Sequence, residues 1–85
     1  MTEIESWACA YVEGIDPSFA RLEAAAKLSE NLFTSGRLDS MALMNLLLDA
    51  EAQFGFMFTP EAFQDRRLHT IAGLGEVIRE LKGAA

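Results

Sequence analysis

The segment from Met41 to Phe54 carries more apolar side chains than one face of a helix can hold. Leu43, Leu46, Leu47, Ala50 and Phe54 fall at helical spacing and form one stripe. Met41, Met44 and Leu48, also three and four apart, form a second. The whole chain has 85 residues, enough for one small domain spanning residues 1–85 and one core. A domain of that size buries roughly 60–65% of the surface its unfolded chain exposes. It cannot easily cover both stripes, so one is expected to face solvent, and an exposed apolar stripe marks a partner surface.

The remaining segments also read as helices and loops. Thr2 and Glu5 have the spacing of a capping box. Ile4, Trp7, Ala8, Tyr11 and Val12 then make an apolar stripe, with Gly14 the expected stop. Asp16-Pro17 is a second helix start, and Phe19, Leu22 and Ala26 follow it at helical spacing. Pro17 to Leu28 therefore reads either as a helix or as a helical part of a long loop. Ser29 to Asp39 contains Asn31, Thr34, Ser35 and Gly36 and reads as loop, with Leu32, Phe33 and Leu38 its anchors on the core. Gly55 ends the Met41–Phe54 helix. Phe56-Met57-Phe58 is extended. Thr59-Pro60-Glu61 opens a short helix to about Gln64. Asp65-Arg66-Arg67 is polar and solvated. Thr70 caps a last helix whose inner stripe is Ile71, Leu74, Ile78 and Leu81. Gly73 and Gly75 weaken its start and leave room for another helix to approach. Strand-type alternation does not persist anywhere. The expected fold is all-α: three main helices, one short one, and a long first connection with room for an extra helix.

Charge narrows the function. There are 7 Lys and Arg against 13 Asp and Glu, a formal net charge of −6. Binding nucleic acid through phosphates needs clustered cations, which are absent. The same balance disfavours anionic membrane surfaces and suits docking on basic patches of other proteins. The acidic start Met1-Thr2-Glu3-Ile4-Glu5 lacks the basic head of a signal peptide, and the short run Leu46-Leu47-Leu48 cannot span a bilayer. The expectation is a cytoplasmic monomer without membrane insertion.

Little in the chain can do covalent chemistry. With a single cysteine, Cys9, no internal disulfide forms. Cys9 reads as a small core hydrophobe and His69 as a solvated residue beside a helix start. Carboxylates do not stand at metal-ligand spacing around them, so no metal site is expected. Gly73 and Gly75 lie inside a helical pattern and make no phosphate-cradling loop. Asp49 and Glu51 are two apart and do not face each other on a helix. That leaves Ser40. Local sequence favours Asp39-Ser40 as a helix cap, since both side chains accept from first-turn N–H groups. The other reading is a hydroxyl displayed after a flexible loop at the positive end of a helix, where a phosphate ester is favoured.

Five segments in order bear on that choice. Gly36-Arg37-Leu38-Asp39-Ser40-Met41 resembles the "G-x-(L)-D-S-(L/M)" attachment motif of acyl carrier proteins. Asn31-Leu32-Phe33 resembles the "D-L-F" before it, and Glu51-Ala52-Gln53-Phe54-Gly55-Phe56 resembles the carrier helix ending "E-x-x-F-G-I". Thr59-Pro60-Glu61-Ala62-Phe63 is similar to the "I-P-x-x-x-F" short third helix. Thr70-Ile71-Ala72-Gly73-Leu74 is similar to the "T-V-x-x-L" opening of the last. The resemblance covers about Asn31 to Leu81. The first thirty residues share only an opening helix.

The resemblance implies a four-helix carrier bundle that is not itself an enzyme. A phosphopantetheinyl transferase would move 4′-phosphopantetheine from coenzyme A onto Ser40. A loading ligase or acyltransferase would then charge the arm, and a downstream transferase or synthase would use the thioester. Asp39 could cap the helix or pair with a basic residue of the transferase. Met41, Met44, Leu48 and Asp49 stand where family members meet partners, and methionine suits a surface that accepts several of them. Asn45 and Ala52 replace acids expected in the fatty-acid type. That points to a stand-alone carrier closer to the D-alanyl and aminoacyl kind, loaded with an amino acid or a specialised acyl chain. A reading of another class is a small acidic helical adaptor that binds through the same stripe, with Ser40 only a cap.

Overall fold

The computed structural model describes residues 1–83 of the chain, and residues 84 and 85 of the expected single domain lie outside the described residues. Helix α1 spans Glu3–Ile15, α2 Ala24–Ser29, α3 Ser40–Phe54, α4 Pro60–Phe63 and α5 Ile71–Gly83. Two 3₁₀ turns, Pro17–Arg21 and Arg66–His69, complete the order, and there is no strand among the described residues. The architecture is the all-α, acyl-carrier-like fold that the periodicity and the resemblance lead to.

Helix starts follow the capping residues. The Thr2 and Glu5 box closes in both directions, at 3.1 and 2.7 Å. Thr59 Oγ1 accepts from the Ala62 amide, and Thr70 Oγ1 from the Gly73 amide at 3.0 Å. Gly55 ends α3 in the left-handed conformation, φ 68°, which glycine adopts without a Cβ penalty. Gly14 is not the stop of α1, which runs on to Ile15. Its end is set by Pro17, because the residue before a proline is pushed out of the α region. Asp16 accordingly sits at φ −133°, ψ 96°, and its carboxylate caps the turn that follows.

The long first connection is broken rather than one helix. It turns once through Pro17–Arg21, extends at Leu22 and Glu23, and only then forms α2. Phe19 is fully buried and anchors it. The core gathers Ala8, Cys9 and Val12 of α1, the Leu43, Leu46, Leu47 and Ala50 stripe of α3, and Ile71, Leu74, Val77 and Ile78 of α5. Phe54 and Leu81, expected inside, are only partly buried at its edge. Trp7 closes the gap between α1 and α3 edge-on to Phe54, at 5.4 Å between ring centroids. Among the described residues, no helix is long and apolar enough to cross a membrane.

Close approach explains one glycine of α5. A Cβ at Gly73 would lie 2.1 Å from the Arg67 carbonyl oxygen. The structure approaching it is thus the Arg66–His69 turn, not another long helix. The same turn corrects the solvated reading of Asp65-Arg66-Arg67. Asp65 caps it through the Arg67 amide, and Arg67 pairs with Asp65 and Glu80.

Candidate functional site: the start of helix α3

Ser40 is exposed and occupies the first helical position of α3. The cap is Asp39 alone, whose Oδ1 accepts from the Ala42 amide at 2.8 Å while its carbonyl accepts from Leu43. The expectation that Ser40 shares the capping role is therefore corrected. Its backbone is already helical, so its hydroxyl lies beyond the amides that a cap serves. Asp39 spends one carboxylate oxygen on the cap. Among the described residues, the Ser40 hydroxyl has no hydrogen-bond partner, and the amides of Ser40 and Met41 have none either. A hydroxyl free on all sides, beside two unpaired N–H groups at the positive end of a 15-residue helix, fits a phosphodiester.

The loop before Ser40 is tied down by buried anchors and hydrogen bonds. Leu38 and Leu32 are buried. The Leu38 amide donates to the Leu32 carbonyl at 2.9 Å, and the Leu32 amide to the His69 carbonyl at 2.8 Å. Asn31 Oδ1 closes a turn by accepting from the Phe33 and Thr34 amides, and Gly36 takes φ 78°.

Arg37 ties this loop to the first connection. Its Nε and Nη2 form a fork on the Glu30 carboxylate, Nη2 at 3.0 Å. Its Nη1 reaches Asp16 at 2.9 Å and Ser18 Oγ at 3.1 Å, and the guanidinium lies 4.8 Å over the Phe19 ring. The hydrogen bond from Arg37 holds Glu30 below the ordinary carboxylate range. Asp16 is lowered chiefly by Ser18, with Arg37 adding to it. An exposed ion pair contributes about 0–1 kcal/mol. A bidentate pair stacked on Phe19, on a side chain only 15% exposed, belongs toward the upper end of that range.

The second apolar stripe of α3 faces solvent. Met41 is 75% exposed, Met44 44% and Leu48 48%. Asp49 lies beside the stripe but is engaged, accepting a hydrogen bond from the Tyr11 hydroxyl of α1. That bond, with some burial and the carboxylate charge, pushes the Tyr11 phenol up to about 12. Glu51 accepts from the Phe58 amide at 2.8 Å, so it is a structural acceptor, consistent with its poor match to Asp49.

Other expectations need correction. Phe33 is not an anchor, being 44% exposed and tilted against His69 with 5.6 Å between ring centroids. The chain passes Leu32 and Leu38 inward and leaves Phe33 between them pointing away. His69 is correspondingly half-buried rather than solvated. Cys9 is buried in α1, and burial pushes its thiol above the ordinary value. Among the described residues, no group of three or more His, Cys, Asp and Glu could hold a metal ion.

Sequence reasoning missed the Arg37 clamp. Its partners lie 7 and 21 residues upstream, beyond helical spacing. The available signal was a cation in the position just before the Leu38-Asp39-Ser40 motif.

A small all-α domain that displays an unpaired serine at the head of the longest helix among the described residues has the form that the resemblance to carrier proteins implies. Comparison with family models agrees: the phosphopantetheine attachment site (PP-binding) model matches residues 18–78, and the chain belongs to that family. Searches of curated proteins and of solved structures returned no match. Domains of this family are the site of covalent 4′-phosphopantetheine attachment. They are modified by phosphopantetheinyl transferases, interact with synthetic enzymes and are generally non-catalytic.

Proposed function

We propose that the whole chain acts as one carrier domain and that Ser40 is its attachment residue. The observation that carries this reading is the free, exposed hydroxyl at the first position of α3, with Asp39 taking the capping role instead. Modification forms one phosphodiester bond at Ser40 Oγ. The pyrophosphate bond of coenzyme A breaks, the nucleotide leaves, and the hydroxyl proton passes to a base on the transferase. The Ser40 and Met41 amides face the resulting negative charge. Once attached, the arm supplies a thiol on which an aminoacyl or specialised acyl group is held as a thioester.

Met41, Met44 and Leu48 form the docking stripe for the transferase, the loading ligase or acyltransferase and the downstream transferase or synthase. Their exposure supports this, as do Asn45 and Ala52 on the same helix, exposed where the fatty-acid type carries acids. Asp49 is already bound to Tyr11, so the stripe presents apolar surface more than charge. This favours an aminoacyl or specialised cargo over a fatty-acid synthase partner. The same reading takes the protein as a cytoplasmic monomer.

The test is incubation with coenzyme A and a broad-specificity transferase, followed by intact mass. The wild-type chain gains one phosphopantetheine and Ser40→Ala gains none. A modified Ser40→Ala chain, or an unmodified wild type, would falsify the assignment.

A further inference from the structure

Four hydrogen bonds leave the Arg37 guanidinium, two to Glu30 and one each to Asp16 and Ser18. Guanidinium has five N–H donors, so little is left over for an incoming phosphate or a partner enzyme. Two carboxylates neutralise its charge. Arg37 is therefore poorly placed to act directly on anything that reaches Ser40. What it does touch is instructive. Asp16 and Ser18 belong to the turn after α1, Glu30 follows α2, and Phe19 beneath the guanidinium is a core residue. Arg37 itself lies three positions before Ser40. The clamp thus joins both ends of the first connection to the segment that presents the serine.

We infer that Arg37 is a positioning residue for the modification of Ser40, ordering the loop before the transferase arrives. The inference rests on Ser40 being the attachment residue. A transferase must hold the serine hydroxyl against the phosphorus it attacks. If the loop were mobile, its ordering entropy would be lost on binding and would weaken association. A loop already ordered by Arg37 avoids that cost. Such a contribution applies equally to the bound ground state and the transition state. It therefore appears in KM for the carrier and leaves kcat alone. Lysine cannot replace the fork, since its ammonium offers a point charge rather than planar paired donors.

The experiment uses the full chain with Arg37→Met, which keeps an apolar stem over Phe19, together with Arg37→Lys and Glu30→Gln. Amide exchange is read at Leu38 and Leu32, with Ile78 of α5 as the reference for global opening. Arg37→Met should speed exchange at Leu38 by about tenfold beyond any change at Ile78, which carries the loss of global stability. KM for the carrier at saturating coenzyme A should rise by about tenfold, with kcat held within about twofold. Arg37→Lys should fall between the two, and Glu30→Gln should resemble Arg37→Met. The positioning role is overturned if KM stays unchanged, if kcat falls at constant KM, or if Leu38 accelerates no more than Ile78. Should Arg37→Met not fold, the isosteric Glu30→Gln decides by the same criteria. Ser40→Ala separates the two readings. If it still accepts the arm, the attachment assignment fails. If it does not, while Arg37→Met keeps its KM, only the clamp fails.

Discussion

Gly73 and Gly75 look alike in the sequence, both inside the apolar pattern of α5, and helix propensity favours alanine at each by about 1 kcal/mol. Their surroundings separate them. At Gly73 an added methyl would meet the Arg67 backbone at 2.1 Å, whereas at Gly75 the nearest atom is the end of the Arg79 side chain at 3.5 Å. Gly73→Ala should therefore destabilise the domain by about 1–3 kcal/mol through overpacking. Gly75→Ala should stabilise it by up to about 1 kcal/mol, and urea denaturation followed by Trp7 fluorescence measures both. A gain at Gly73 would mean that the Arg66–His69 turn does not pack as described. Tyr11 supplies a second test, because it is the only tyrosine in the chain. Its hydrogen bond to Asp49 favours the protonated phenol in the fold, raising it to about 12. The stabilisation is complete below the unfolded value of about 10 and is lost as pH rises through the folded one. Phenolate absorbance should appear late in the wild type and shift toward about 10 in Asp49→Asn. An unshifted titration would show that Tyr11 and Asp49 do not meet in solution.

At the scale of elements, what could be read locally was local in origin. Thr2 with Glu5, Asp16-Pro17, Thr59-Pro60 and Thr70 mark helix starts by bonds spanning two or three residues, and the sequence displays both partners. The inward stripe of α3 follows from spacing alone, and the exposure of Met41, Met44 and Leu48 follows from the size of the core. The loop from Glu30 to Asp39 was less legible. Asp16, Ser18 and His69, brought there by the fold, hold it through tertiary hydrogen bonds that local turn residues do not display. Phe33 was misplaced for the same reason: a strand- or helix-like period assigns a face, and an irregular loop has none. The cap itself was ambiguous because aspartate and serine are both good N-caps. Asp39 makes the observed bond, so Asp39→Ala should lose about 1 kcal/mol. Ser40→Ala should leave stability nearly unchanged while abolishing acceptance of the arm. Equal losses in the two variants, read by thermal melting, would return Ser40 to the capping role.

Across the whole molecule, charge pulls in two directions. The net charge of −6 at neutral pH opposes compaction through self-repulsion. Against it stand ion pairs that join separate parts of the chain, Lys27 with Glu13, Arg37 with Asp16 and Glu30, and Arg67 with Glu80, and the local pair of Arg67 with Asp65. Glu30, Asp65 and Glu80 are lowered chiefly by hydrogen bonds from their arginines, and Asp16 by Ser18 and then Arg37. A carboxylate lowered in the fold contributes stability that is complete above its unfolded value, about 4. That contribution is lost as pH falls through the depressed folded value. Mild acidification from neutrality protonates few of these groups and relieves repulsion, so stability should first hold or rise. Below about pH 4 the paired carboxylates take up protons and the chain becomes cationic, so stability should fall steeply. The midpoint of urea unfolding against pH should therefore pass through a maximum on the acid side of neutrality. Arg37→Met should flatten the descending limb, because Glu30 and Asp16 then titrate closer to their unfolded values. A midpoint that keeps rising below pH 4, or a limb unchanged in Arg37→Met, would mean that repulsion dominates and that the arginine clamps add little to the stability of the fold.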